Sequence, residues 1–196
     1  MTEEFGIALA QINPTVGDIS GNLDIIRSAR KSVYGTSDIV VTGELAVSGY
    51  PPEDLVLKPA FLEMIETEVN KLALETNDGG PALLIGAPWR ENGELFNAAL
   101  LLADGAVVTK RYKHVLPTYG VFDEDRVFSR GPVPGPIAFK GVRLGVMICE
   151  DMWFSDVSES LLESGAEVTI IDDLSTGNVN LIPKGAEFVK CNINEL

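Results

Sequence analysis

The sequence predicts an α/β fold with mixed sheets, and three observations support that prediction. Short apolar runs alternate with segments of helical periodicity in the first part of the chain. Two hairpin signals follow, each a two-residue turn between strand-like runs, at Asp104-Gly105 and Lys140-Gly141. A strand, a short helix and a further strand then occupy 142–171. Because hairpins give antiparallel pairs and a crossover gives a parallel pair, the combination favours mixed sheets.

The first part of the chain predicts two strands and two helices. Phe5 to Gln11 is an apolar run that suits a buried strand, and Ile39 to Thr42 is a β-branched run of the same kind. Gly49 to Pro52 is a predicted loop, because two successive prolines fit neither a helix nor a central strand. The helices have apolar residues at one-face spacing: Leu23, Ile26, Ala29 and Val33 in the first, and Phe61, Ile65, Val69 and Leu72 in the second.

The second part of the chain is richer in strands. We expect a helix over Ser155 to Glu163, ended by Gly165. The segment from Tyr112 to Pro136 has little regular pattern and is long for a connection, which is typical of a functional loop. The predicted strands are Ala82 to Ala87, Asn97 to Ala103, Ala106 to Lys110, Ile137 to Phe139, Val142 to Ile148 and Val168 to Ile171.

Composition excludes several classes of protein. The 196 residues are 45% hydrophobic, enough for a buried core, and carry a formal net charge of −14. That acidity argues against nucleic-acid binding and against docking on an anionic membrane, since both need basic surfaces. No apolar run reaches the roughly 18 residues of a membrane-spanning helix. The acidic start Met1 to Glu4 does not resemble a signal peptide, so we expect a cytoplasmic protein.

Cysteine and histidine counts restrict the chemistry. The sequence has two cysteines, Cys149 and Cys191, which excludes a disulfide scaffold. Its single histidine, His114, excludes a histidine-rich metal site. A catalytic triad could use no other histidine. Acid–base chemistry would otherwise fall to Glu, Asp, Lys or Tyr.

Cys149 is the first candidate for chemistry. It ends the apolar strand over 142–148, and Glu150, Asp151 and then a helix follow it. A nearby helix N-terminus would favour the reactive thiolate, whereas the two adjacent carboxylates would oppose it. The alternative is a buried core cysteine, which is common among free cysteines.

A nucleophilic cysteine needs a base, and two residues could provide one. His114 would form the common Cys–His pair. Glu44 directly follows the strand over 39–42, beside a loop rich in Gly and Pro, where partial burial could raise its pKa. The alternative for Glu44 is a solvated loop carboxylate.

Lys110 to Lys113 places three cations within four residues. A solvated charge run is one interpretation. The apolar and aromatic residues that follow favour a packed loop instead. A lysine held there near a cysteine would favour the charged thiolate form of that cysteine and stabilise a developing oxyanion.

Together these clusters resemble the carbon–nitrogen hydrolases of the nitrilase superfamily, and more specifically the N-terminal glutaminase domain of glutamine-dependent NAD synthetases. The resemblance covers about residues 5–167 and implies a nitrilase-type α-β-β-α sandwich. Two of its strings are specific, Tyr-Pro-Pro-Glu-Asp-Leu and Tyr-Gly-Val-Phe-Asp-Glu. The matching segments are Gly43 to Leu45, Gly49 to Leu55, Leu116 to Glu124 and Ile148 to Trp153.

The resemblance implies roles for five residues. Glu44, Lys113 and Cys149 would form a Glu-Lys-Cys triad that hydrolyses the glutamine amide through a thioester. Tyr119 and Glu150 would line the glutamine pocket, with Glu150 pairing with the substrate ammonium. His114 is then a loop residue that the triad does not require.

The resemblance also implies which cofactors and partners are used. The glutaminase step needs no cofactor or metal, whereas ATP and magnesium belong to the synthetase domain. That domain's Ser-Gly-Gly-Xaa-Asp-Ser loop does not occur in this sequence. Glutamine is the implied substrate, and full-length family members are expected to be homo-oligomers.

Residues 168–196 resemble a different family, the nucleotide-sugar epimerases of the extended short-chain dehydrogenase type. In that family an acid such as Asp172 or Asp173 would bind the cofactor ribose. The Gly-Xaa-Gly-Xaa-Xaa-Gly turn expected about 20 residues earlier is absent, so this tail cannot form a Rossmann site alone. We therefore expect a partial carbon–nitrogen hydrolase domain over 1–167 and a foreign Rossmann-type strand-loop tail over 168–196.

Two interpretations of the function follow. The first is a glutamine amidohydrolase whose sandwich is truncated and whose activity is impaired by the exposed apolar face and unpaired strand edges. The alternative is a non-catalytic chimeric fragment that keeps part of the nitrilase fold. We assign no role to Cys191.

Overall fold

Two mixed sheets form the centre of the computed structural model, which describes residues 5–120, 122–173, 178–183 and 189–190. In this part of the chain each sheet has five strands. The first sheet has, in spatial order, β1 (Ile7–Leu9), β2 (Ile39–Val41), β3 (Ala82–Glu91), β4 (Glu94–Ala103) and β5 (Ala106–Tyr112). The second has, along the chain, β6 (Ile137–Phe139), β7 (Val142–Ile148), β8 (Val168–Asp173), β9 (Asn178–Pro183) and β10 (Val189–Lys190).

Both sheets combine parallel and antiparallel pairs, as the sequence predicts. In the first sheet β1, β2 and β3 are parallel, and β4 and β5 return as antiparallel neighbours. In the second sheet β7 and β8 are parallel, while the β6–β7, β8–β9 and β9–β10 pairs are antiparallel. Strands β2, β5 and β7 each end where a predicted catalytic residue follows. The mixed pairing therefore decides which side chains can meet.

In the described ranges, three α-helices cover the outer faces of the sheets: α1 (Ile19–Ser32), α2 (Pro59–Glu75) and α3 (Ser155–Glu163). Helix α1 begins after Asp18, whose Oδ1 accepts a hydrogen bond of 3.0 Å from the Gly21 amide. Helix α2 begins with Pro59, a residue that suits the first helical position because its missing N–H has no partner there.

The alternation of side chains along the first sheet builds two separate apolar layers. Val40, Leu83 and Leu100 pack with the inner faces of α1 and α2. Their neighbours Val41 and Leu84 point to the opposite side, where they pack against Leu144, Val146 and Ile148 of the second sheet. Helix α3 packs on the outer face of the second sheet through Val157 and Leu161. The layers are therefore helix, sheet, sheet, helix.

Most predicted elements are confirmed, and the differences are at element ends. β1 is shorter than the predicted run from Phe5 to Gln11, whereas β3 continues past Ala87 to Glu91. The continuation pairs with β4 across a turn at Asn92 and Gly93, both of which have positive φ. The buried residues of α2 are Leu62, Ile65, Val69, Leu72 and Ala73, whereas Phe61, which was predicted on the apolar face, is half-buried.

The predicted boundary between a partial domain over 1–167 and a tail over 168–196 falls just before β8. β8 lies beside β7 in the second sheet, in parallel register. Residues 174–177, 184–188 and 191–196, including Cys191, lie outside the described part of the chain. The foreign origin of the tail stays a prediction. Among the described residues, no helix combines the length and the apolar character needed to cross a membrane.

Candidate active site

Glu44 lies in the turn that follows β2 and is fully buried. Leu45, the next residue, has a φ of 50°, so the chain turns sharply there. The turn packs directly against β3 at Gly86, where a Cβ atom would lie 2.3 Å from the Leu45 nitrogen and 2.6 Å from the Gly43 oxygen. The expectation of a solvated loop carboxylate is therefore wrong, and partial burial, the other expectation, is exceeded.

Lys113 is the first residue after β5, and its side chain is also fully buried. Its main chain is held on both sides, by a bond of 2.8 Å from its own amide to the Asn97 oxygen and one of 2.8 Å from the Gly131 amide to its oxygen. Its Nζ donates to Glu44 Oε1 at 2.6 Å. The sequence predicts Glu44 at a strand end and Lys113 in a packed loop, and the structure brings the two side chains into direct contact.

Glu124 is a second acidic partner of Lys113 that the sequence analysis did not single out. Lys113 Nζ donates to Glu124 Oε1 at 2.8 Å, and the Glu124 side chain is buried. Tyr50 donates its hydroxyl to the same oxygen at 3.3 Å. Glu124 lies within the quoted string Leu116 to Glu124, in a long irregular loop. An acid in such an apolar and aromatic segment was the available signal.

Asn97 connects the two carboxylates. Its Nδ2 donates to Glu44 Oε1 at 2.8 Å and to Glu124 Oε2 at 3.4 Å, and its side chain is buried. The sequence signal is a polar residue at a buried position of β4, where every other residue after Glu94 is apolar. We refer to Glu44, Asn97, Lys113 and Glu124 as the buried polar cluster.

Burial controls the protonation of the buried polar cluster. Burial raises the pKa of Glu44 to about 7 against the opposing charge of Lys113, and the Glu124 charge adds to the rise. Burial acts to lower the pKa of Lys113, but the charges of Glu44 and Glu124 outweigh it and hold that pKa above its usual range. The cluster thus contains a carboxylate that gains or loses a proton near neutral pH beside a permanent cation.

One oxygen of Glu44 is available for proton transfer. Lys113 and Asn97 both donate to Oε1, whereas Oε2 is buried and accepts no hydrogen bond from the described residues. An acceptor that is buried, poised near neutral pH and not already used by a donor suits a general base.

Cys149 lies directly after β7 and is 8% exposed. Its φ is 46°, in the left-handed region that non-glycine residues rarely adopt, so its side chain leaves the strand direction at a sharp turn. A charged Cys149 thiolate contributes to raising the pKa values of Lys113, Tyr50 and Tyr119, although it is a minor cause in each. Cys149 is therefore near enough to these three side chains for a thiolate charge to act on them.

The predicted helix after Cys149 is confirmed, since α3 spans Ser155–Glu163. A short 3₁₀ helix that the sequence did not predict, Cys149–Trp153, lies between the thiol and this helix. Phe154 separates the two helices with an extended conformation.

Tyr119 and Glu150 contact each other at the outer side of the site. The Tyr119 hydroxyl donates to both Glu150 oxygens, at 3.0 and 2.8 Å. Tyr119 is 57% exposed, and its ring packs edge-on against Phe122 with centroids 5.6 Å apart. The pair is accessible to a small molecule, unlike the buried polar cluster behind it.

His114 points away from the buried polar cluster. Its Nδ1 lies 2.7 Å from the Gly131 oxygen, and its Nε2 lies 3.8 Å from a carboxylate oxygen of Asp156. The choice between His114 and Glu44 as the base therefore favours Glu44 on geometry. In the described part of the chain, no group of three or more His, Cys, Asp or Glu side chains is arranged to hold a metal ion.

Comparison with known proteins extends across nearly the whole chain. A family model described as carbon-nitrogen hydrolase matches residues 6–188. The chain is 42% identical over 172 residues to the glutamine-dependent NAD(+) synthetase of Rhodobacter capsulatus, a match that covers 87% of this chain and 31% of that protein. The corresponding protein of Aquifex aeolicus is 37% identical and is matched over 94% of this chain and 32% of its own length. The chain thus spans about a third of the length of these curated relatives.

Solved structures give the same result for the fold. The glutamine-dependent NAD+ synthetase of Acinetobacter baumannii, solved with ADP, superposes with a TM-score of 0.79 at 32% identity over 86% of this chain and 32% of that one. An amidase from Nesterenkonia sp. superposes with a TM-score of 0.73 over 86% of this chain and 64% of that one. At 24% identity, the second match supports the fold alone. The predicted mixed-sheet sandwich is confirmed.

Proposed function

The chain belongs to the carbon–nitrogen hydrolase family, and we propose that it hydrolyses the side-chain amide of glutamine to glutamate and ammonia. The observation that carries the proposal is the buried ion pair between Lys113 and Glu44, which lies near enough to Cys149 for a thiolate charge there to raise the pKa of Lys113. A buried Lys–Glu pair is costly to desolvate, and such groups are retained where chemistry uses them. The names of the curated relatives supply glutamine as the substrate.

The first half of the reaction transfers the acyl group to sulfur. Cys149 Sγ attacks the amide carbon while its proton passes to Glu44, whose free Oε2 is the acceptor. The amide oxygen becomes an oxyanion, which the Lys113 ammonium and the backbone N–H of Glu150 stabilise. Glu44 then returns the proton to the leaving nitrogen. The C–N bond breaks, ammonia departs, and a thioester to Cys149 remains.

The second half of the reaction hydrolyses the thioester. Glu44 is again a carboxylate and takes a proton from the attacking water. Water oxygen bonds to the acyl carbon and the C–S bond breaks, which releases glutamate and restores the thiol with the proton held by Glu44. A pKa of about 7 suits a group that must both accept and donate within one cycle near neutral pH.

Glu150 and Tyr119 determine which amide is accepted. The Glu150 carboxylate is the binding group for the substrate ammonium, and the Tyr119 hydroxyl orients it through the two hydrogen bonds already described. A carboxylate beside a nucleophile works against the thiolate, so substrate binding gives a reason for its position.

The proposed reaction uses only side-chain and backbone groups of this chain and water. ATP and magnesium are assigned to a synthetase domain, in which a separate reaction would consume the ammonia. Neither takes part in the steps above.

A substrate panel tests the proposal. With glutamine, we expect ammonia and glutamate in equal amounts, and much slower release from propionamide, which has no ammonium group. Glu150→Gln should raise KM for glutamine by about 10- to 100-fold through the lost ion pair and leave propionamide turnover within about 3-fold. Folded chain that releases no ammonia from any amide would refute the proposal and favour the non-catalytic fragment.

A further inference from the structure

Lys113 and Cys149 belong to different sheets. Lys113 follows β5, the edge strand of the first sheet, and Cys149 follows β7 in the second. The two sheets meet through apolar side chains. The packing of these side chains fixes the distance between the sheets, but it fixes the relative position of two particular atoms less well. A thioester mechanism that uses both residues needs their reactive atoms held to within a fraction of an ångström.

Asp151 lies between these two residues. It is the second residue after Cys149, in the 3₁₀ turn, and only 1% of it is exposed. Its Oδ1 accepts hydrogen bonds from the backbone amides of His114 at 3.0 Å and Val115 at 2.7 Å. Its Oδ2 accepts one from the Ile148 amide at 3.1 Å. One carboxylate therefore joins the two residues after Lys113 to the residue before Cys149.

We propose that Asp151 is the positioning residue that aligns Lys113 with Cys149 across the two sheets. Its hydrogen bonds are to the backbone of the segments that carry Lys113 and Cys149, so its proposed role is to hold those segments in place. Three N–H donors onto one buried carboxylate are charge-assisted bonds, which are stronger and more directional than neutral ones. The kinetic part of this inference rests on the proposed function.

Asparagine cannot replace this carboxylate. An amide group has one acceptor oxygen, so in Asp151→Asn its NH₂ would face an N–H either at Ile148 or at the His114–Val115 pair. One of the two segments would shift away from the clash. The side-chain volume stays the same, and the effect reports on hydrogen bonding rather than on packing.

Steady-state kinetics separate positioning from a merely structural role. Asp151→Asn should lower kcat for glutamine by about 10- to 100-fold and leave KM within about 3-fold, since a displacement near 1 Å costs up to 10²-fold in rate. The matched control is Glu159→Gln, an exposed carboxylate of helix α3 that has no hydrogen bond or ion pair to either segment among the described residues. Unchanged kcat per folded molecule in Asp151→Asn would overturn the inference.

Alkylation of Cys149 tests the same geometry without glutamine. In a Cys191→Ser background, the iodoacetamide rate at neutral pH should fall about tenfold in Asp151→Asn, because the Lys113 charge no longer lies against the thiolate. An equal rate in wild type and variant would overturn the inference. A slower rate in a chain that does not hydrolyse glutamine would support the positioning role while refuting the proposed function.

Hydrogen exchange covers the case in which Asp151→Asn does not fold. In the wild-type chain, the amides of His114, Val115 and Ile148 should be protected to the same extent, because a single opening of the Asp151 contact exposes all three. Exchange of His114 and Val115 at the rate of an open loop, with Ile148 still protected, would overturn the inference.

Discussion

The ammonium of Lys113 contacts two carboxylates in a cluster that solvent does not reach. Two negative groups around one cation leave the cluster with an excess negative charge when both are ionised, and burial penalises that charge. The excess appears in the raised pKa of Glu44. Glu44 is therefore the residue of the cluster that most readily takes up a proton, and its Oε2 accepts no hydrogen bond from the described residues and can receive that proton.

Removing the proton acceptor should nearly abolish turnover. In Glu44→Gln, the amide keeps the shape of the side chain but cannot take the thiol proton, and we expect kcat to fall by about 10²- to 10⁴-fold. Ammonia release at saturating glutamine is the measurement, with circular dichroism to verify folding. Glu94→Gln, an exposed change at the start of β4, serves as the control and should keep full activity. Comparable kcat in Glu44→Gln would contradict the assignment of the base.

The pH profile should follow the protonation of Glu44. Its pKa is raised to about 7, and only the ionised form accepts a proton, so kcat/KM should rise with pH and reach half its plateau near pH 7. Below that midpoint we expect about a tenfold loss per pH unit. Glutamine hydrolysis measured over the acid and neutral range provides the test. A value of kcat/KM that stays constant down to about pH 5, near the ordinary range for a glutamate, would contradict the raised pKa.

The sequence predicts part of this cluster for a physical reason. Glu44 and Cys149 follow strands whose ends can be located from apolar periodicity, whereas the family resemblance singles out Lys113 among the cations of its charge run. Glu124 reaches Lys113 through the folding of a long irregular loop, which no periodicity describes. Asn97 was predicted as a strand residue, but a strand pattern does not reveal which inward residue faces a charge.

At the scale of elements, the turn after β2 depends on β3. Glu44 is held by a turn that packs on Gly86 so closely that a methyl group would overlap the Leu45 nitrogen and the Gly43 oxygen. Glycine at this position allows the two backbones to approach. The contact with β3 thereby fixes the position of the turn that carries Glu44.

A methyl group at Gly86 should displace that turn. We expect Gly86→Ala to lower the free energy of unfolding by about 1–3 kcal/mol through overpacking and to lower kcat as Glu44 moves away from Lys113. Urea unfolding and ammonia release measure the two effects. Gly135→Ala is the matched control, since a methyl group there meets no atom within 4 Å of the described chain. Wild-type values of both quantities in Gly86→Ala would show that the turn does not depend on this contact.

The extent of β3 shows where sequence patterns are insufficient. β3 pairs with β2 from Ala82 to Leu84. Beyond Leu84, the strand paired with β3 is β4. Pro88 therefore lies where β3 has one strand beside it, and its missing N–H removes no bond to β2. Periodicity alone predicts the strand up to Ala87, because the tolerance of a proline depends on where the neighbouring strand ends.

At the scale of the whole molecule, the layer between the two sheets is the feature that holds the catalytic residues together. Side chains of β2, β3 and β4 meet those of β7 and β8 there. This layer could be predicted in outline from the alternating pattern, since residues two apart share a face. The lateral alignment of the two sheets could not be predicted, because an apolar pattern does not determine which residue of one sheet packs against which residue of the other.

Truncation of a side chain in this layer should destabilise the whole domain. Leu101 is 1% exposed, and Leu101→Ala should lower the free energy of unfolding by about 2–5 kcal/mol through lost burial and the remaining cavity. Leu74→Ala on α2, where the side chain is 69% exposed, is the control and should stay within about 0.5 kcal/mol of wild type. Equal midpoints of urea unfolding for both variants would contradict a packed layer between the sheets.

Ammonia release by the wild type and by Cys149→Ala, compared with Cys191→Ser, is the most direct test of the central claim. The account predicts that wild type and Cys191→Ser release ammonia from glutamine at the same rate. It predicts that Cys149→Ala releases none above the uncatalysed rate while remaining folded, because the thioester forms on the Cys149 sulfur. Equal release from wild type and Cys149→Ala would contradict the account.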